Sequence, residues 1–311
     1  MKVFARLLPL ALLTACAGQT LPPAMTQAAL NPSLNRFSTP ALRSFSAGTS
    51  QRKFPHGLGL NLQGSQPMRE DGQTFSIMAN RPQVVDLRPG FSPIYNQGAT
   101  NACVGFSSIG GFGEYFARKR GWNMRFSPRF LWNMGRKMEG TLAENTGMMI
   151  SDAQRILDAY GMMPDQSFPF PVLDPEQNPA LFNQLLTEQP NSAQIAEAKK
   201  FRFSQGWKQI NTVSAMRTAL ADGKPVVFGI AVFRSIGMTG PDGLIPNPGP
   251  NDEFLGGHAV VAVGYDNTRK VFIIRNSWGQ EWGDKGYGYL SYDFFRSVLK
   301  VAPAYAGFTV K

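Results

Sequence analysis

The stretch Tyr95-Asn96-Gln97-Gly98-Ala99-Thr100-Asn101-Ala102-Cys103 sets a cysteine where an apolar helix begins, six residues after a glutamine. Asn101 reads as the N-cap of that helix. Cys103 then falls in the first turn, where unpaired backbone N–H groups and the helix dipole favour an anion. A thiol with a free pKa of about 8.5 is mostly protonated at neutral pH, so this placement predicts a depressed pKa and a nucleophilic thiolate. Ile109, Phe112 and Phe116 continue a helical stripe, while Gly105, Gly110, Gly111 and Gly113 cost helix propensity and predict close packing against a neighbour.

Outward from Cys103, the partners that thiol chemistry requires lie far downstream. His258 follows by 155 residues and Asn276 by 173. An imidazole takes the thiol proton and returns it to the leaving amine. An asparagine oxygen accepting from the far ring N–H fixes tautomer and orientation without adding a second negative charge. Gln97 supplies an amide N–H for the oxyanion of a tetrahedral intermediate, with the Cys103 backbone N–H as second donor. Taken alone, a buried cysteine is an ordinary small hydrophobe, and Gln97 and Asn276 read equally as turn and strand-end amides. The joint pattern makes them candidates. His56, the other histidine, reads as a solvated loop residue.

The surrounding pattern is a helical half followed by a strand-rich half. Ser127-Pro128 reads as N-cap and first residue of a second helix, and Ala153, Ile156, Leu157 and Tyr160 before Gly161 as a third. Residues 172–205 form a polar, partly helical excursion. Thr212 opens a short helix to Leu220, and strand-like runs follow at 225–232, 258–265, 271–275 and 286–291. A Gly/Pro-rich loop at residues 238–251 leads into the histidine run.

Three blocks of residues carry a resemblance to the papain family of cysteine peptidases. Val84-Val85-Asp86-Leu87-Arg88 with Asn96-Gln97-Gly98 resembles that family's mature N-terminus and oxyanion glutamine. Gly256-Gly257-His258-Ala259-Val260 to Gly264-Tyr265 resembles its histidine strand. Arg275-Asn276-Ser277-Trp278-Gly279 with Trp282-Gly283 and Gly286-Tyr287-Gly288 is similar to its asparagine segment. The resemblance spans residues 82–311 and implies an α+β fold of two lobes. A mainly helical lobe (about 97–205) would carry the cysteine, a β-barrel lobe (about 206–311) the histidine and asparagine, and the active site would lie between. It implies further that Trp278 shields the His258–Asn276 hydrogen bond and that the backbone at Gly147 pairs with an extended substrate. Two positions depart from the family pattern: Thr100 stands where a half-cystine is usual, and Val104 where an aromatic is.

The first residues carry a separate signal. Lys2 and Arg6 form a short basic region and Leu7 to Leu13 an apolar one. Leu13-Thr14-Ala15-Cys16 resembles the lipobox of bacterial lipoproteins, which implies a signal peptide of residues 1–15 and acylation of Cys16. Ordinary cleavage after Ala17 is the alternative, since Ala15-Cys16-Ala17 has the A-x-A form. The apolar run is too short to span a bilayer, so tethering rather than spanning is expected. Residues 16–81, rich in Pro, Ser, Ala, Gln and Asn, read as a largely irregular tether or pro-segment, with a short cleft-covering strand kept open.

The net charge of +10 falls unevenly, with eight basic against two acidic side chains in residues 1–81 and 23 against 19 in residues 82–311. A nucleic-acid partner is not expected, because Arg118-Lys119-Arg120 reads as the last turn of the Cys103 helix before Gly121. Neither a metal-spaced cysteine pair nor a phosphate-cradling loop is evident, so neither metal nor cofactor is expected. No oligomeric state follows from the sequence. The expectation is an exported, lipid-anchored thiol peptidase acting on peptide or protein substrates through an acyl-thioenzyme. Acyl transfer to an amine by the same residues, and a non-catalytic peptide-binding module on the same fold, are the alternatives.

Overall fold

The computed structural model describes residues 54–63, 65–69, 81–203, 206–296 and 304–311. The leader, Cys16 and most of the expected tether lie outside the described residues.

The helical part is built around the cysteine helix. It begins with α1 (Cys103–Gly105), widens into a π-helical stretch at Phe106–Gly113, and ends as α2 (Glu114–Lys119). Its glycines allow that helix to lie against its neighbours. A Cβ on Gly111 would come within 2.7 Å of the Val261 side chain, and one on Gly110 within 2.5 Å of the Tyr95 ring. Helix α3 (Pro128–Glu139) crosses the cysteine helix near Gly105. Ser127 caps α3 as expected, its hydroxyl accepting from Phe130 N at 3.0 Å, and Gly140 ends the helix in the left-handed region. Helix α4 (Ile150–Tyr160) follows, then α5 (Pro179–Thr187) and α6 (Ser192–Ala198) within the polar excursion.

The second part is an antiparallel sheet with helix α7 (Val213–Ala221) packed on it. Its strands are β1 (Val84–Asp86), β2 (Trp207–Ile210), β3 (Val226–Phe233), β4 (Phe254–Asp266), β5 (Val271–Arg275), β6 (Tyr287–Ser291) and β7 (Ala304–Val310). The order is β2-β7-β3-β4-β5-β6, with β1 also paired to β4. Strand β3, Val-Val-Phe-Gly-Ile-Ala-Val-Phe, is buried along its whole length, as an apolar run without alternation requires. Strands β1, β2 and β7 were not among the expected runs, and β4 is longer than its apolar core. A short helix α8 (Tyr292–Arg296) closes the β6 end.

Register sets the position of the site. His258 pairs with Ile230 of β3, and three residues further along β4 Val261 pairs with Arg275, the last residue of β5. Asn276 therefore leaves the sheet beside His258. Arg275, buried, ties this corner to the N-terminal arm by donating to Pro93 O at 2.8 Å.

Candidate active site

Four side chains singled out from the sequence, together with Trp278, meet where the cysteine helix faces β4. Asn276 Oδ1 lies 2.8 Å from His258 Nε2, and the other ring nitrogen, Nδ1, is buried without a hydrogen-bond partner. Trp278 stacks on the imidazole at 4.5 Å and 29°. Cys103 Sγ accepts from the backbone N–H of Ala259, the residue after His258, at 3.3 Å. Gln97 is completely buried; its Oε1 accepts from Ser277 Oγ at 2.6 Å and its backbone N–H donates to Ser277 O at 2.8 Å. Those bonds lock the glutamine to the asparagine segment and aim its Nε2 into the cleft.

The cleft is occupied by the chain's own residues 54–63 and 65–69. Gln97 Nε2 donates to Gly57 O at 3.0 Å, as well as to Thr100 O at 2.7 Å. Leu60 N donates to Gly257 O at 3.1 Å, Asn61 N to Met148 O at 3.1 Å, and Met148 N to Gly59 O at 3.0 Å. From Pro67 the segment pairs with β7 and the residue after β2, with Met68 N donating to Ala304 O at 2.7 Å and Arg69 N to Asn211 O at 2.8 Å. The fit leaves no room for side chains at two points. A Cβ on Gly57 would lie 1.9 Å from Thr100 O, and one on Gly59 1.7 Å from Asn101 O. Gly147 also faces this segment, where a Cβ would lie 1.7 Å from Gly59 O.

This occupancy reverses three expectations. Asn101 does not cap the cysteine helix, whose N-cap is Ala102 without a side-chain bond. Its side chain bonds outward instead, accepting from Leu58 N at 2.9 Å and donating to Asn145 O at 2.6 Å. The Cys103 thiol is pushed up to about 11 by burial, against the pull of backbone N–H groups at Ala259 and Gly59. Removing a thiolate from water outweighs the favourable helix start. His258 is pushed down to about 4, by burial first, with the hydrogen bond to Asn276 opposing and His56 reinforcing. Both shifts favour the neutral forms under the segment. Finally, His56 is not solvated: it is half-buried and stacks on the Trp278 ring at 4.6 Å and 5°, and burial lowers its pKa.

Sequence reasoning passed over Ser277 as a site residue and gave Asn101 and His56 other roles. Ser277 lay inside a quoted motif, but its role is a bond to Gln97 across 180 positions that spacing does not announce. Thr100, in place of a half-cystine, clamps the same loop by donating to Gln97 O at 2.7 Å. Among the described residues no group of His, Cys, Asp and Glu is placed to hold a metal ion, and no helix is long and apolar enough to cross a membrane.

A helical part and an antiparallel sheet meeting at cysteine, histidine, asparagine and glutamine define a cysteine-type peptidase. The papain family cysteine protease model matches residues 81–299, and the chain belongs to that family. A peptidase C1-like protein of Acanthamoeba polyphaga mimivirus is 27% identical over 241 residues, covering 71% of this chain and 75% of the relative. A cathepsin L-like peptidase of Aedes aegypti is 30% identical over 226 residues, covering 70% of this chain and 62% of the relative. Among solved structures, xylellain, a cysteine protease from Xylella fastidiosa, superposes with a TM-score of 0.67 at 25% identity, covering 86% of this chain and 99% of that one.

Proposed function

We propose that Cys103 is the nucleophile of a peptide-bond hydrolase, with His258 as general base and then general acid. Asn276 orients His258, and Gln97 Nε2 together with the Cys103 backbone N–H stabilises the oxyanion. The observation that carries this reading is the histidine's division of labour: Nε2 is held by Asn276 Oδ1 at 2.8 Å while Nδ1 is left without a partner. A ring fixed at one nitrogen and free at the other is prepared to move a proton. Attack of Cys103 Sγ on the carbonyl carbon gives a tetrahedral oxyanion, and its collapse expels the amine with a proton from His258. Water, deprotonated by His258, then releases the acid from the thioester.

Residues 54–69 act as a built-in inhibitor in this reading. The Gly57 carbonyl takes the Gln97 donor that an oxyanion needs, and the covered thiol stays protonated. The segment's bridge with Met148 is parallel, at Leu60. Trp278 shields the His258–Asn276 bond, and the backbone at Gly147 and Met148 receives an extended substrate. The leader and Cys16 support export and lipid anchoring to a bacterial membrane, with Cys16→Ser expected to lose labelled fatty acid and membrane partitioning.

Peptide turnover by the full chain, with the segment displaced by Gly59→Val, tests the chemistry. Cys103→Ala in that background is expected to remove hydrolysis; undiminished hydrolysis by it would overturn the assignment. Amine-linked instead of hydrolysed products, read by mass spectrometry, would favour acyl transfer, and absence of any product the peptide-binding module.

A further inference from the structure

Helix α3 ends in an acidic residue that the peptidase chemistry does not use. The Glu139 carboxylate lines a cavity of about 270 Å³ beside the cleft, together with Thr141, Thr146 and the docked residues around Asn61. Glu139 Oε1 is fixed by the Met149 N–H at 2.7 Å, which leaves Oε2 to face the segment. There it accepts from Asn61 Nδ2 at 2.9 Å, while Asn61 N donates to Met148 O at 3.1 Å. An extended peptide is thus held by its backbone on Met148 and read by its side chain at Glu139.

Asn61 satisfies this site incompletely. The Thr141 and Thr146 hydroxyls are buried with no hydrogen-bond partner. Buried hydroxyls without a protein partner are available to a further donor or acceptor that enters the cavity. Among the residues lining it, Glu139 carries the charge. None of the residues lining the cavity is basic, and burial first, then a side-chain hydrogen bond with the Asp152 carboxyl and its charge, raise the Glu139 pKa against the bonds from Met149 and Asn61. Arg155, the cation on Asp152, is outside the lining and bonds Asp152 Oδ1 at 3.0 Å. A cationic side chain entering the cavity would oppose the influences that raise Glu139.

We propose that Glu139 is a specificity-determining residue that selects a lysine or arginine side chain of the substrate at the position whose backbone pairs with Met148. The cation donates to Glu139 Oε2 and reaches the two threonine hydroxyls that the shorter, neutral Asn61 leaves unpartnered. Asn61 is then a placeholder for this substrate position. The inference rests on the peptidase reading.

The test uses the full chain carrying Gly59→Val and a position-scanning peptide library, with and without Glu139→Gln or Glu139→Lys. One position within three residues of the scissile bond should favour Lys and Arg by about tenfold in kcat/KM, the effect of one charge-assisted hydrogen bond. Glu139→Gln should flatten that preference and Glu139→Lys should turn it toward Asp and Glu. Identical profiles for the three proteins, with turnover retained, would overturn the proposal. A second arm needs no turnover and uses iodoacetamide on Cys103 in the chain with Gly59 intact. Asn61→Glu should speed alkylation about tenfold through loss of docking, Asn61→Lys should slow it, and Glu139→Lys should restore protection to Asn61→Glu. Equal rates for Asn61→Glu and Asn61→Lys would also overturn it. Charge-dependent alkylation without hydrolysis of any peptide would leave the acidic site standing and defeat the peptidase reading instead.

Discussion

The two surfaces that enclose Cys103 are built on opposite principles. On one side stands the sheet, with His258 on the long strand β4, Asn276 just past the end of β5, and both held by register and by buried side-chain bonds. On the other lie residues 54–63 and 65–69, which have few regular elements and are held largely by backbone hydrogen bonds to Gly257, Met148 and Ala304. In the proposed chemistry the sheet side specifies residue types, because proton transfer needs particular side chains. The segment specifies shape, through glycines that admit backbone against backbone. A peptidase that is fixed by side chains is thus covered by a strap that is fixed by main chain.

The largest effects should come from breaking the sheet side. In the Gly59→Val background, Cys103→Ala and His258→Ala should each abolish turnover, and the double variant should lose no more than either alone, a total on the order of 10⁶ for a nucleophile and base acting as a unit. Additive losses measured by kcat would show that the two do not act together. Next comes Gln97, which serves both surfaces. Gln97→Ala should cut turnover on the order of 10²–10³ in that background, yet speed Cys103 alkylation in the otherwise unchanged chain because the Gly57 carbonyl loses its donor. A drop in both readouts would detach Gln97 from the strap.

A smaller effect separates the surfaces by pH. His258, lowered to about 4 from 6.5, contributes stability that is present above 6.5 and lost as pH falls toward 4. Cys103, raised to about 11 from 9.0, contributes stability that is present below 9.0 and lost as pH rises toward 11. Thermal unfolding of the full chain should therefore be most favourable to the fold between these limits. Cys103→Ala should flatten the alkaline limb alone, and an unchanged limb would remove the buried thiol as its cause. Smallest is Ser127→Ala, which removes the α3 cap and should cost about 1 kcal/mol in denaturant unfolding while leaving alkylation unaltered.

Legibility in the sequence followed the same division. That the cysteine stretch, the histidine strand and the asparagine segment come together was readable because the proposed chemistry demands residue identity at fixed places, and the α3 cap because Ser-Pro has a local cause. Strand β7 was not, since its pairing with β2 and β3 is long-range and its run Ala-Tyr-Ala-Gly-Phe-Thr-Val lacks clear punctuation. The docked segment was missed as well. Gly57-Leu58-Gly59 looks like a turn in one dimension, and its meaning lies in contacts with Thr100 and Asn101 some forty positions away. Asn101 was read as a helix cap by local rule, whereas the strap claimed its side chain.

The central claim, a thiol activated by His258 and held latent by the strap, is tested most directly by the iodoacetamide alkylation rate of Cys103 against pH. The modified peptide would be identified by mass spectrometry in the full chain with and without Gly59→Val. Without the substitution, alkylation should be slow across neutral pH and rise only on the alkaline side, as a thiol pushed up to about 11 requires. With it, a clash with the Asn101 carbonyl should dislodge the strap, accelerate neutral-pH alkylation by up to about 10² for an overpacking cost of 1–3 kcal/mol, and bring the titration into the roughly 3.5–7.5 range of activated cysteines. Superimposable profiles titrating near about 8.5, the value of a free thiol, would contradict both the activation and the latch.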